Sequence, residues 1–279
     1  MTVRIVTDSS CDLSADDIER HRITVVPLTI RFGDREFVDG RDLPAERFYE
    51  MMANSDRLPS TAAPAPGAFE TAFRELAAGG ADAIVCVNLS FALSATGESA
   101  QAAARSLTGE VDVRVVDSGK VSAGLGLMVK AAATAAEGGH SATEIETQLA
   151  ELKDRVLIYG VLDTLENLKK GGRIGAAQAL LGSALSIKPC LDLTSGTVQE
   201  AGKQRTRGKA RAWLAKKATE VGELEHLAVA HGAADDIDSF VAGLGDTPAR
   251  HPTTVTLIGP VVGTHAGPGV IALAMVPAT

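Results

Sequence analysis

The first half of the chain alternates between short apolar runs rich in β-branched residues and longer stretches whose apolar positions recur at helical spacing. VRIVT (3–7), ITVVPLTIRF (23–32), AIVCVNL (83–89) and VDVRVVD (111–117) read as strands. Between them, SADDIERH with Ser14 as N-cap, PAERFYEMMANS, GAFETAFRELAAG stopping at Gly79-Gly80, and SATGESAQAAARSL read as helices. A long helix follows at 122–139. Another at 141–154 opens on a capping box, with Ser141 and Glu144 at S-x-x-E spacing. RVLIYGVLDT then begins a new strand. Beyond it the pattern predicts helices at 164–170 and 206–222, and strands at 184–193, 227–231, 253–259 and 270–276.

Alternating strands and helices predict an α/β fold in two α/β domains. Residues 1–153 are expected to form a mainly parallel, Rossmann-like sheet with helices on both faces. Residues 154–279 are expected to form a mixed sheet with helices, the boundary falling near Lys153. No internal repeat or low-complexity tract interrupts this reading.

The 279 residues are 45% hydrophobic, enough for a sizeable core, but only 4% aromatic, so aliphatic side chains and alanine do most of the packing. Cys11, Cys86 and Cys190 are odd in number and far apart, with no C-x-x-C pair. That suits a reducing compartment, and Cys86 and Cys190 read as small core residues. The N-terminus enters a strand with no apolar leader, and no apolar run is long enough to span a bilayer. The expectation is a soluble, cytoplasmic protein.

Net charge is −8, which argues against non-specific nucleic-acid binding. It is unevenly spread. Residues 169–217 hold eleven Lys/Arg against two acids, a net +9, leaving −17 elsewhere. Such a segment reads either as a solvated face or as a surface for an acidic or phosphate-bearing partner. Interleaved aromatics for base stacking are missing apart from Trp213.

Four hydroxyl- and glycine-rich segments fall where strands give way to helices: TDSSCD (7–12), PSTAAPAPG (59–67), LSFALSATG (89–97) and DSGKVSAG (117–124). Ligands of α/β sheets bind at such places. Each segment alone is equally a capped helix start. Together they supply uncharged donors suited to a carboxylate, which accepts up to about four hydrogen bonds. His265, between glycines in VVGTHAGPG, reads as a loop residue, solvated or at a site. In DTLENLKKGGRIG (163–175) the helix should end at Gly171-Gly172, leaving Arg173 on a loop. The P-loop and G-x-G-x-x-G patterns are absent, as are the G-x-S-x-G elbow, S-x-x-K, H-E-x-x-H and any metal-ligand spacing. Ser90 and Ser94 have no evident base in sequence.

In order along the chain, IVTDSSCDL, PSTAAPAPGAF, LSFALSATGESA, VVDSGKVSAGLGLMV, DTLENLKKGGRI, LGSALSIKP, KQRT and THAGPG resemble the DegV family and its FakB-type fatty-acid-binding members. TLENLKKGGRI is the most specific of these. The resemblance implies a long-chain fatty acid held within and between two α/β domains, its carboxylate presented to a separate ATP-dependent kinase that makes an acyl phosphate for phospholipid synthesis. The chain would be a monomeric carrier with no catalytic residues, cofactor or metal, and with at most transient membrane contact. By position, Thr61, Ser94 and His265 match the family's carboxylate contacts, and Arg173 and Arg205 match arginines near the site mouth associated with kinase engagement. Ser90, Thr96, Ser118 and Gly267 would line the site around them. Two departures stand out: the family's T-S-Q-P reads Thr61-Ala62-Ala63-Pro64, and the glycine of L-S-G-T is Ala95.

The physics fits this composition. A buried sixteen-carbon tail contributes on the order of 10 kcal/mol before the costs of binding, and needs an aliphatic interior. The carboxylate cannot be buried bare, and Thr61, Ser94 and a protonated His265 would satisfy it. The competing readings are an acyl-transferring or hydrolytic enzyme using Ser94 and His265, and a pure interaction protein using the basic segment.

Overall fold

The computed structural model describes residues 1–181, 187–245 and 247–279. Thirteen strands and ten α-helices are described. The first half contains β1 (Val3–Asp8), α1 (Ala15–Arg20), β2 (Thr24–Val26), β3 (Thr29–Phe32), β4 (Arg35–Val38), α2 (Ala45–Ala53), β5 (Ser60–Ala62), α3 (Pro66–Ala78), β6 (Ala83–Asn88), α4 (Thr96–Ser106), β7 (Asp112–Asp117), α5 (Ala123–Glu137) and α6 (Ala142–Arg155). The second contains β8 (Leu157–Val161), α7 (Glu166–Lys170), β9 (Lys188–Asp192), β10 (Gln199–Gln204), α8 (Arg207–Val221), β11 (Leu224–His231), α9 (Ile237–Leu244), β12 (Thr254–Leu257), α10 (Pro260–Ala266) and β13 (Ile271–Pro277).

Strands β2-β1-β6-β7 form an all-parallel sheet. Its central strand β6 is buried on both faces and shows why a continuous apolar run is needed there. Ile84 and Cys86 pack with Phe69, Phe73 and Ala100 from α3 and α4. Ala83, Val85 and Val87 point the other way, toward Leu125 and Met128 of α5 and Ile145 of α6. The second sheet, ordered β10-β9-β8-β13-β11-β12, is mixed. Its outer face is covered by Leu214 and Ala218 of α8 and Phe240 of α9.

Helix α5 lies between the two sheets and touches β1 and β6 on one side and β11 and β13 on the other. That position explains why most of its circumference is apolar: only Ala131, Thr134 and Glu137 are exposed, all in its second half. The layers therefore run α3/α4, parallel sheet, α5/α6, mixed sheet, α8/α9. The expected division at 153/154 falls in the last turn of α6, beside a core cluster that continues through both sheets. Ser14 caps α1, and both arms of the Ser141–Glu144 capping box are made. All three cysteines are buried and free.

Several elements differ from the pattern-based expectation. ITVVPLTIRF is two strands, not one. Pro27 has no N–H to donate, and β2 joins the parallel sheet while β3 turns into a separate antiparallel sheet, β4-β3-β5. The β3–β4 hairpin at Gly33, the short β5, and strand β10 carried no apolar run to announce them. Helices α9 and α10 were likewise missed. The 184–193 run is a strand from Lys188 onward; its first residues, and most of LGSALSIKP, lie outside the described residues. The small third sheet and α2 rest on α10, through Ile30, Phe48 and Tyr49 against Val261.

Candidate functional site

A cavity with about 900 Å³ of empty space, part of it open to solvent, lies beyond the carboxyl ends of β6 and β7 and against the inner face of the mixed sheet. Its wall is aliphatic. Strand β8 and the residue after it supply Ile158, Gly160 and Leu162, β9 supplies Leu191, and β13 supplies Ala272. Helix α10 adds Val261 and Val262. At one end the wall becomes polar: Thr61, Ser94, Arg173 and His265 all border the cavity. These four come from the third sheet, the loop before α4, the loop after α7 and the last turn of α10. The same end opens into a polar bay in which Thr61, Arg173 and His265 are joined by Asp56, Arg57 and Lys170.

His265 was expected in a loop. It sits in α10, which is held at both ends. At its start the Gly259 N–H donates to Asp12 Oδ1 at 3.0 Å, and at its end Asn167 Nδ2 donates to the Thr264 carbonyl at 3.2 Å. His265 Nε2 lies 3.0 Å from Thr61 Oγ1. Its Nδ1 is buried with no hydrogen-bond partner among the described residues and faces Gly171, where a Cβ would collide with it. Burial, and secondarily the Arg173 guanidinium, push its pKa down to about 4. Both causes disfavour, before any carboxylate is bound, the protonated imidazolium expected from sequence.

Ser94 Oγ and Thr96 Oγ1 are 2.9 Å apart, and the Thr96 N–H donates to Ser94 Oγ at 3.3 Å. Ser94 thus sits at the start of α4, beside the positive end of that helix. Arg173 donates from Nε to the Leu93 carbonyl at 3.1 Å and from Nη1 to the Gly171 carbonyl at 2.7 Å, which joins the α7 loop to the Ser94 loop. Behind this end, Asp12 Oδ2 accepts the Ser122 hydroxyl at 2.5 Å. Ser122 borders the cavity and has a left-handed φ of 54°. Burial is the main cause pushing the Asp12 carboxyl up to about 7. Neither residue is assigned a role by the sequence reading, although Asp12 ends TDSSCD and Ser122 lies within DSGKVSAG, both singled out there.

Four residues expected to line the site do not border this cavity. Ser90 donates to the Gly196 carbonyl at 2.6 Å, tying the two halves of the chain together. Ser118 donates to the Lys120 carbonyl at 3.3 Å within its own turn. Thr96 is fully buried beneath Ser94, and Gly267 abuts Asn167. Fold contacts use their hydrogen-bonding capacity. Arg205 is exposed at the end of β10 and borders neither the cavity nor the bay. Part of the basic segment's asymmetry is offset in the fold: Lys188 and Arg207 pair with Asp163, and Arg207 and Arg211 pair with Asp236, acids from outside it.

The fold does not pair Ser94 with His265. Among the described residues His265 contacts Thr61 and not Ser94, so Ser94 has no base. No group of three or more His, Cys, Asp or Glu among the described residues is arranged to hold a metal ion. No described helix is long and apolar enough to cross a membrane.

Comparison with known proteins agrees with this fold. A DegV domain-containing protein of Streptomyces coelicolor is 41% identical over 273 residues, covering 96% of each chain. One from Deinococcus radiodurans is 34% identical over 289 residues, covering 99% of each. Among solved structures, a DegV family protein of Thermus thermophilus, studied for fatty-acid binding, superposes with a TM-score of 0.91 at 31% identity over 100% of both chains. DegV of Bacillus subtilis, a fatty acid binding protein, gives 0.86 at 28% identity, also over 100% of both. A stearic acid-binding protein of Eubacterium ventriosum gives 0.86 at 26% identity, over 99% of this chain and 98% of that one. A family profile described as "Uncharacterised protein, DegV family" matches residues 2–278. The chain belongs to the DegV family.

Proposed function

We propose that this protein binds a long-chain fatty acid, its tail in the aliphatic cavity and its carboxylate at the Thr61–Ser94–His265 end, and presents that carboxylate to a separate ATP-dependent fatty-acid kinase. One observation carries the reading: a cavity walled by strand-face aliphatics ends in two hydroxyls, an imidazole and one guanidinium. The fatty acids held by DegV relatives of the same fold support it.

The orphaned Nδ1 of His265 suggests how the head group is held. A bare lone pair in a dry site costs less than a bare N–H. The favoured tautomer therefore carries its proton on Nε2, which donates to Thr61 Oγ1. The Thr61 hydroxyl proton is then free for a ligand oxygen. Ser94, at the start of α4, supplies a second donor. The polar bay keeps the carboxylate reachable from outside, and its Arg57 and Lys170 offer positive charge to an approaching phosphate donor. The carrier would leave the phosphoryl-transfer chemistry to its partner. Arg205 is assigned to partner contact on the family resemblance alone.

Mass spectrometry of lipid extracted from the purified protein tests the reading. One long-chain fatty acid per chain is expected. Failure to recover any, and failure to load any after delipidation, would overturn it. With a purified fatty-acid kinase subunit and ATP, acyl phosphate should form only when the loaded protein is present.

A further inference from the structure

Strand β8 places Ile158, Gly160 and, just beyond it, Leu162 on the cavity side, at the two-residue spacing of one sheet face. Gly160 is central in the sheet. It is in register with Ala272 of β13 and Leu191 of β9, and both of those also border the cavity. A glycine in a strand interior weakens the strand, so it calls for a cause.

The usual causes are absent here. Gly160 is not among the residues with left-handed φ. A Cβ at this position would meet Ala272 Cβ at 3.6 Å and the Ile271 carbonyl at 3.7 Å, both ordinary contacts, and nothing nearer. Gly124 differs: a Cβ there would collide with Ile158, so close packing accounts for that glycine. Neither backbone nor protein neighbours require Gly160 to lack a side chain. What remains is the cavity itself. Gly160 and its small cross-strand partner Ala272 leave a notch in a wall made mostly of Leu, Ile and Val.

We propose that the Gly160–Ala272 notch seats the acyl chain against the sheet, and that Gly160 is a specificity-determining residue that sets how bulky a chain the cavity admits. This rests on the fatty-acid reading above. A straight saturated chain presses on the notch least, and a chain bent by a cis double bond needs it most.

The test uses delipidated full-length protein as wild type, Gly160→Ala and Gly160→Val. It measures binding of palmitate, of oleate and of the amphiphilic anionic fluorophore 1-anilinonaphthalene-8-sulfonate, together with thermal unfolding. Valine is a better strand residue than glycine, so Gly160→Val should unfold at the same or a higher temperature. It should nevertheless bind palmitate about tenfold more weakly, from loss of space for about two methylenes, and oleate more weakly still. Higher stability with lower affinity is a result no purely structural role gives. Gly160→Ala should show the same trend to a smaller degree, and decides the matter if the valine variant does not fold. Wild-type affinity for both acids in a folded Gly160→Val protein would overturn the notch and leave the fatty-acid reading intact. If wild type takes up neither acid, the fatty-acid reading fails and the acyl-chain notch falls with it, whereas fluorophore uptake reduced in the valine variant would show only that Gly160 borders an accessible cavity.

Discussion

The wall of the cavity and its polar end are made in different ways. Along the wall, Ile158, Gly160 and Leu162 repeat every second residue of one strand, and their neighbours Leu191 and Ala272 are fixed by register with it. At the polar end, Thr61, Ser94, Arg173 and His265 come from four separate segments, and each is placed by its own contacts: Thr61 against His265, Ser94 against Thr96, Arg173 against two carbonyls. The wall is redundant, so losing one methyl leaves most of it. The polar end is not, so each atom counts once. Affinity should therefore be a property of the wall, and orientation a property of the polar end.

The largest test of that division changes the ligand. Going from palmitate to octanoate removes eight methylenes and leaves the head group alone. The loss should be about 6 kcal/mol, read as displacement of a bound probe by each acid. If shortening the chain costs less than removing the hydroxyls proposed to meet the carboxylate, the division is wrong.

The next test loosens the polar end from behind. Asp12 braces the starts of α5 and α10 through Ser122 and Gly259. Its folded pKa, about 7, is raised above its ordinary value, so its favourable contribution is fully present below pH ~4 and is lost as pH rises through ~7. Asp12→Asn keeps an acceptor for Gly259 and cannot ionise. Relative to that variant, wild type should lose stability between pH 4.5 and 8, by at most about 4 kcal/mol in urea unfolding. A pH-independent difference would show that Asp12 is not buried as a charge.

A smaller effect is expected at the head group itself. Thr61→Ala with Ser94→Ala removes two charge-assisted hydrogen bonds and should weaken palmitate by about 3 kcal/mol. Hexadecanol, which has the same tail and no carboxylate, should lose much less. Equal losses for the two ligands would mean that the substitutions damaged the wall instead.

The same contrast decides what the sequence could reveal. Strand faces and helix caps are local, so β1, β6, β7, α5 and the Ser141–Glu144 box could be read directly. Pro27 could have been read as a break and was not, because the apolar run continues across it. The polar end is non-local. Ser90, Ser94 and Ser118 look alike in sequence, but Ser90 meets the Gly196 carbonyl 106 residues away, and only folding shows that its hydroxyl is spent there. Thr61 and His265, 204 residues apart, could be paired only through the family resemblance. Gly160 had a local signal, a lone glycine between apolar residues of a strand, that went unused.

The finest test asks about one proton. If the polar end orients the ligand with neutral donors, His265 must be uncharged before the ligand arrives. Its folded pKa, about 4, lies below the ordinary histidine value because the ring is desolvated and Arg173 stands nearby. The sign follows from that: the unfolded chain takes up the proton as pH falls below ~6.5 while the folded protein does not, so the neutral ring costs stability only in acid. In the delipidated protein the His265 ring resonances should stay fixed from pH 8 to pH 5.5. A midpoint near 6.5 for His265 would place an imidazolium at the polar end, hand the carboxylate a full counter-charge, and shift part of the affinity from the wall to the head.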